Sequence, residues 1–189
     1  MLNIVLFGAP GAGKGTQAAM LASRLSLIHL STGDILRREI SAGSRLGKMA
    51  QEYTDKGEFV PDNVVIDIIR SQIEQNTDAK GFIFDGFPRT IEQAEALDRM
   101  MDNCALKISA LLALEVETEE LVKRLQIRGK TSGRTDDCSL DVIRNRIDVY
   151  NRKTKPLIDY YSAQNKYRPI NGMGDVAEIF DRLVLEVRN

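Results

Sequence analysis

Residues 8–16 read Gly8-Ala9-Pro10-Gly11-Ala12-Gly13-Lys14-Gly15-Thr16, directly after the apolar run Asn3-Ile4-Val5-Leu6-Phe7 and directly before a stretch of helical periodicity. A backbone that turns from strand to helix through glycines can wrap an anion with its N–H groups, because no side chain blocks the approach. The helix start behind the loop adds oriented donors and a partial positive charge. Lys14 can reach the terminal phosphates of a nucleotide, and Thr16 offers a hydroxyl to Mg²⁺. Against the spacing GxxxxGK[ST] there is one departure: Gly15 takes the hydroxyl position, and the hydroxyl moves to Thr16. The dinucleotide fingerprint GxGxxG fails, since Gly11 and Gly13 would require glycine at 16. An incidental glycine-rich turn is the bland alternative, and the strand–loop–helix order argues against it.

A phosphate cradle of this kind needs an acidic residue at the end of a neighbouring apolar strand, close to the metal. Phe82-Ile83-Phe84-Asp85 supplies one, and Mg²⁺ takes oxygen ligands while retaining several waters. The acceptor is a separate question. A switch GTPase would carry Asn-Lys-x-Asp, and the nearest match, Asn165-Lys166-Tyr167-Arg168, has arginine in the acidic place. A hydroxyl acceptor would want a general base, for which obvious candidates are few. An acceptor that is itself a phosphate needs no base, because its second pKa is about 6. It needs several arginines from different segments, so that two polyanions can approach in line.

The charge distribution fits that requirement. The 189 residues hold 26 basic and 27 acidic side chains, a net charge of -1 that argues against a nucleic-acid partner. Residues 123–155 nevertheless carry ten basic against four acidic side chains, so that this window is at +6 and the remainder at -7. Two cysteines, Cys104 and Cys138, form neither a disulfide framework nor a zinc pattern, which points to a reducing cytoplasmic compartment. No run approaches the roughly 18 apolar residues of a membrane span, and Met1-Leu2-Asn3 lacks a basic signal-peptide start. The single histidine, His29, argues against most histidine-centred catalysis and against any multi-histidine metal site; its expected place is packed or hydrogen-bonded in the core.

The elements that must hold these groups alternate strand and helix. Short apolar runs at 3–7, 28–30, 82–84, 108–114 and 168–170 read as five strands, the third and fourth buried on both faces. Helical stretches are expected at 16–25, 62–73, 90–101, 118–128, 141–150 and 175–187; the third opens Thr90-x-x-Gln93, a capping-box signature. Alternation of this kind reads as right-handed βαβ crossovers, hence an α/β, P-loop NTPase-like, doubly wound parallel five-stranded sheet with helices on both faces. The whole chain, 1–189, is one domain. Two excursions leave the sheet: 31–60, with two polar-rich helices, and the turn Gly129-Lys130-Thr131-Ser132-Gly133-Arg134. Met100-Met101 is expected to fill a core gap.

The cradle together with Ser31-Thr32-Gly33-Asp34-Ile35-Leu36-Arg37, Asp85-Gly86-Phe87-Pro88-Arg89-Thr90 and Arg128-Gly129-Lys130-Thr131-Ser132-Gly133-Arg134-Thr135-Asp136-Asp137 resembles the adenylate kinase family over nearly the whole chain, in the family's order. The Gly15-Thr16 departure is that family's own form of the loop. The resemblance implies reversible Mg²⁺-dependent phosphoryl transfer from ATP to AMP, giving two ADP. It places Gly11, Ala12, Gly13, Lys14, Gly15 and Thr16 on the ATP phosphates, with Arg124 and Gly174 at the ATP base. It places Thr32, Arg37, Glu58, Phe59, Val60, Gly86, Phe87, Pro88, Arg89 and Gln93 around AMP. Gln93 has both a donor and an acceptor for one edge of adenine. Lys14, Arg89, Arg128, Arg134 and Arg146 are implied as the catalytic cations, Arg134 and Arg146 also touching AMP, and Thr16 and Asp85 as the Mg²⁺ side, partly through water. Arg144, two residues from Arg146, is left to a structural role.

Only five residues separate Arg128 from Arg134, so 129–137 is a short lid and no structural zinc is implied; 31–60 is the AMP-binding insertion. The stretch 137–144 runs one residue longer than the family's usual pattern. A UMP/CMP kinase is the close alternative, and Thr32 together with Gln93 favours AMP. A nucleotide-binding module without catalysis would have lost Lys14, Arg89 or a lid arginine, and all are present. The expected partners are ATP, AMP and ADP, with no nucleic acid and no membrane, and the expected state is a monomer.

Overall fold

The computed structural model describes residues 1–132, 134–137 and 139–188. Its sheet has the strands β1 (Leu2–Gly8), β2 (Ile28–Ser31), β3 (Gly81–Asp85), β4 (Ala110–Glu115) and β5 (Tyr167–Asn171) in the order β2-β3-β1-β4-β5, every neighbouring pair parallel. The central run of β1 is buried residue by residue, with β3 and β4 on its two sides. That is why these strands are apolar without alternation. All five C-terminal ends lie on one edge, so Gly8, Ser31 and Asp85 end side by side, as the pairings Leu6↔Asp85 and Ser31↔Asp85 record. An open sheet of this order places ligands outside that edge.

Two apolar layers cover the sheet. On one face Val5, Phe82, Phe84 and Leu111 pack with Leu36, Ile69, Leu97, Met101 and Tyr161. These come from α2 (Thr32–Ser41), α4 (Asp62–Glu74), α5 (Ile91–Asn103) and α8 (Leu157–Ser162). On the other, Ile4, Leu6, Ile83 and Leu112 pack with Leu21, Leu125, Ile147 and Leu183. Those come from α1 (Lys14–Leu25), α6 (Thr118–Ser132), α7 (Leu140–Val149) and α9 (Val176–Arg188). Met100 and Met101, near the end of α5, are buried in the first of these layers, filling the core as expected. No helix among the described residues is long and apolar enough to cross a membrane.

The two excursions take different forms. Residues 31–60 are indeed two helices, α2 and α3 (Arg45–Thr54), begun by Ser31 and Ser44, whose hydroxyls accept from Asp34 N and Gly47 N. They are tied into the core through Leu36, Ala50 and Val60. The expected turn at 129–134 is instead the last turn of α6, which continues to Ser132. The hydroxyls of Thr131 and Ser132 bond back to the carbonyls of Ile127 and Arg128, at 3.1 and 2.7 Å, and prolong the helix past Gly129. Gly129 is required for another reason: a Cβ there would stand 2.4 Å from the carbonyl oxygen of Asp137, where the chain returns. Gly133 of the expected lid and Cys138 lie outside the described residues.

Candidate active site

The loop 8–13 leaves β1 at the ligand edge and enters α1 at Lys14. Gly13 precedes the helix with φ 93°, a left-handed conformation that other residues rarely adopt. Lys14 Nζ donates to the carbonyls of Gly8 and Ala9 at 2.7 and 3.0 Å, curling over its own loop. Burial pulls its pKa down to about 8, with Arg89, Arg146 and Arg128 acting the same way and Asp85 acting against them. Asp85 ends β3 beside the start of α1, where a Cβ on Gly15 would be 3.5 Å from its Oδ2. Its burial works to raise its pKa, yet His29, Lys14 and Arg89 outweigh that and hold the carboxyl below its ordinary value. His29, expected in the core, is half-buried on β2, with Nε2 3.4 Å from Asp85 Oδ2 at the rim of the site.

A cavity of ≈ 400 Å³ opens from this loop along the sheet edge. Of the residues implied for AMP, Thr32, Arg37, Glu58, Phe59, Val60, Gly86, Pro88, Arg89, Gln93, Arg134 and Arg146 all line it, with Lys14 at one end. Phe87 does not: it is 1% exposed and belongs to the core, because β3 runs straight into the apolar layer before Pro88 turns the chain out. Thr32 is buried, its hydroxyl donating to the Gly86 carbonyl at 2.9 Å. Arg89 Nε donates to the same carbonyl at 2.7 Å, and its guanidinium lies over the Phe59 ring, 5.0 Å from the centroid. The Arg89 backbone carbonyl accepts from Thr154 in the π-helical turn Tyr150–Thr154 at 2.9 Å.

Cations gather around this space. Burial, followed by the facing Arg146, pulls the Arg89 pKa down to about 10; burial and then Arg37 and Arg128 lower that of Arg134. Free of ligand, the side chains repel one another, which is the electrostatic signature of a site shaped for polyanions. Arg146 faces the cavity while Arg144 is exposed on the far side of α7, as the two-residue spacing requires.

Arg128 and Arg146 are joined by a residue that spacing alone did not single out. The Asp137 side chain is fully buried. Its Oδ2 accepts from Arg128 Nε at 2.5 Å, its Oδ1 from Arg128 Nη2 at 3.1 Å, and Oδ1 also pairs closely with Arg146 Nη1. Asp136 adds a second ion pair to Arg146 at 2.9 Å. Farther along the edge, Arg124 shares a face of α6 with Arg128. It pairs with Glu120 at 2.8 Å and donates to the Gly172 carbonyl, so Arg124 and the 172–174 loop meet. Arg182 clasps that loop from α9 through the carbonyls of Asn171 and Met173, at 2.8 and 2.5 Å. Nothing local in the sequence marks Asp137 or Arg182; their partners lie in other elements.

Thr16 is exposed in the first turn of α1, and Asp85 Oδ2 lies beside the neighbouring Gly15. A hydroxyl and an ionised carboxylate, both oxygen donors with room for water, suit a hard divalent cation such as Mg²⁺.

Against known proteins, the family model described as Adenylate kinase matches residues 6–166. The chain is 50% identical over 189 residues to the adenylate kinase of Parabacteroides distasonis, covering 100% of this chain and 99% of that one. It is likewise 50% identical over 189 residues to the adenylate kinase of Flavobacterium psychrophilum, with 100% of each chain covered. With the adenylate kinase of Porphyromonas gingivalis it shares 45% over 183 residues, 97% of this chain and 94% of the relative.

Proposed function

This chain belongs to the adenylate kinase family, and from that premise we propose that its cavity carries reversible phosphoryl transfer from ATP to AMP, giving two ADP. The observation that carries the reading is the convergence of Lys14, Arg89, Arg134 and Arg146 on one cavity, with no base among them. The AMP phosphate needs no deprotonation at neutral pH. The protein's task is to hold two polyanions in line and to balance their charge, with no covalent intermediate. Lys14 and the N–H groups of residues 11–16 hold the ATP phosphates; Arg37 and Arg89 hold the AMP phosphate; Arg128, Arg134 and Arg146 balance the charge of the group in transit. Arg124 and the Gly174 backbone face the ATP base, and Thr32 and Gln93 the AMP side. Thr16 and Asp85 would hold Mg²⁺, partly through water, which when bound supplies further charge neutralisation on the nucleotide. The reading takes the protein as a monomer acting in the cytoplasm.

A coupled ADP-release assay comparing AMP, UMP, CMP and GMP tests the substrate. AMP is expected to have the highest kcat/KM by at least tenfold, and a faster reaction with UMP or CMP would make the protein a pyrimidine nucleotide kinase.

Water admitted to this site would hydrolyse ATP. The two excursions, 31–60 over AMP and 129–137 over ATP, are therefore taken as closing pieces. Labels on cysteines introduced at the exposed positions Lys48 and Lys130, in a chain lacking the native cysteines, are expected to approach one another when a bisubstrate analogue binds. An unchanged distance distribution would remove closure from the mechanism.

A further inference from the structure

Gln93 is 1% exposed, yet it lines the cavity, and each of its two side-chain polar atoms is already engaged once. The backbone N–H of Arg89 donates to Oε1 at 2.7 Å, and Nε2 donates to Asp62 Oδ1, also at 2.7 Å. A backbone N–H can only donate and a carboxylate can only accept. These two neighbours therefore admit a single orientation of the amide. Turned over, it would set Nε2 against the N–H of Arg89 and Oε1 against a carboxylate, losing two hydrogen bonds and creating two repulsive contacts.

Asp62 is itself held in place. Thr90 donates from its hydroxyl to Asp62 Oδ2 at 2.6 Å while accepting from Gln93 N at 3.2 Å. Asp62 opens α4 and Thr90 caps α5, so the two helix starts are linked through this carboxylate. The Thr90-x-x-Gln93 capping box is consequently only half made: the threonine caps the helix, and the glutamine turns to Asp62 and Arg89. What remains of the amide is one N–H on Nε2 and one lone pair on Oε1.

We infer that Asp62 is a specificity-determining positioning residue, which fixes the Gln93 amide in the orientation that accepts a purine donating at position 6 and accepting at N1, and refuses the inverse edge. Adenine has the first pattern. Hypoxanthine has the second, with an oxygen at position 6 and a hydrogen on N1, and would be matched only by the turned-over amide. The inference rests on the reading that the acceptor base sits at Gln93.

The test is the ratio of kcat/KM for AMP to that for IMP, two acceptors with the same ribose and phosphate. In Asp62→Asn the new carboxamide can itself turn and meet either face of Gln93, leaving only the Arg89 N–H to enforce the orientation. The ratio is expected to fall about tenfold, the worth of one hydrogen bond to a charged group. Asp62→Ser, which withdraws the acceptor from reach, should move it the same way, and thermal melting reports whether each variant is folded. Equal losses for AMP and IMP, with the ratio unchanged in both variants, would reduce Asp62 to a structural link and overturn the inference. Gln93→Leu separates the premise from the inference. A collapse of the ratio in that variant places the base at Gln93, and an unchanged ratio removes the premise and the inference with it.

Discussion

Lys14→Met is expected to lower kcat/KM by about 10³-fold while leaving the melting temperature of the free protein unchanged or slightly raised. The size follows from removing a fixed positive charge aimed at phosphate in a site with little water. The stability half follows from what Lys14 does without ligand. Its ammonium is bonded to the Gly8 and Ala9 carbonyls, and it is held among Arg89, Arg128 and Arg146, with burial the largest of the forces that pull its pKa to about 8. A protonated lysine in that setting is a burden on the fold, and methionine, of similar length, removes it. Phosphates reverse the balance, so the stabilisation of wild-type protein by ATP should be lost in the variant. A steady-state assay and melting with and without ATP check both halves. Activity within tenfold of wild type would take Lys14 out of the mechanism.

Asp137→Ala is the second large effect, and here stability and activity should fall together. The aspartate is fully buried and bridges Arg128 of α6 to Arg146 of α7. Removing one member of a buried charge cluster typically costs about 3–5 kcal/mol. The two arginines retain side-chain exposures of 32% and 18%, so water recovers part of that, and a loss of about 2–3 kcal/mol is the better figure. For a chain of this size that is a fall in Tm of about 5–10 °C. Turnover should drop at least tenfold, because both arginines lose the partner that aims them. Calorimetry and the coupled assay read the two effects. A Tm within 1 °C of wild type would mean that Asp136 alone orients Arg146.

Features written in consecutive residues were readable in advance. The strand–glycine–lysine–helix order of residues 3–25 specifies its own geometry, and the apolar runs of β3 and β4 read as strands buried on both faces, as they are. A helix sends residues two apart in different directions, so Arg144 and Arg146 could not both face the site, and the family resemblance named Arg146. Features that depend on chain meeting chain were not readable. Gln93 was identifiable by type, but the acceptor that orients it is 31 residues away on another helix. Asp137 stood in view as one of two adjacent acids, and only the return of the chain against Gly129 shows which of them is buried. Residues 129–132 misled in the other direction: glycine followed by small hydroxylated residues reads as a turn. Here Thr131 and Ser132 spend their hydroxyls on the carbonyls of the preceding helical turn.

The bridging aspartates also bear on how this protein behaves in a crowded ionic solution. An exposed arginine gathers a cloud of small anions, and a phosphate that displaces them gains the entropy of setting them loose, a gain that added salt takes away. Arg128 and Arg146 carry their counter-ions as Asp137 and Asp136, tethered to the chain and unable to diffuse off. A phosphate arriving at these arginines therefore shares them with fixed carboxylates and frees few mobile ions. Polyanions that offer only charge, such as nucleic acids or inorganic polyphosphate, find small reward at this pair, and a ligand that also fills the rest of the cavity is favoured over them.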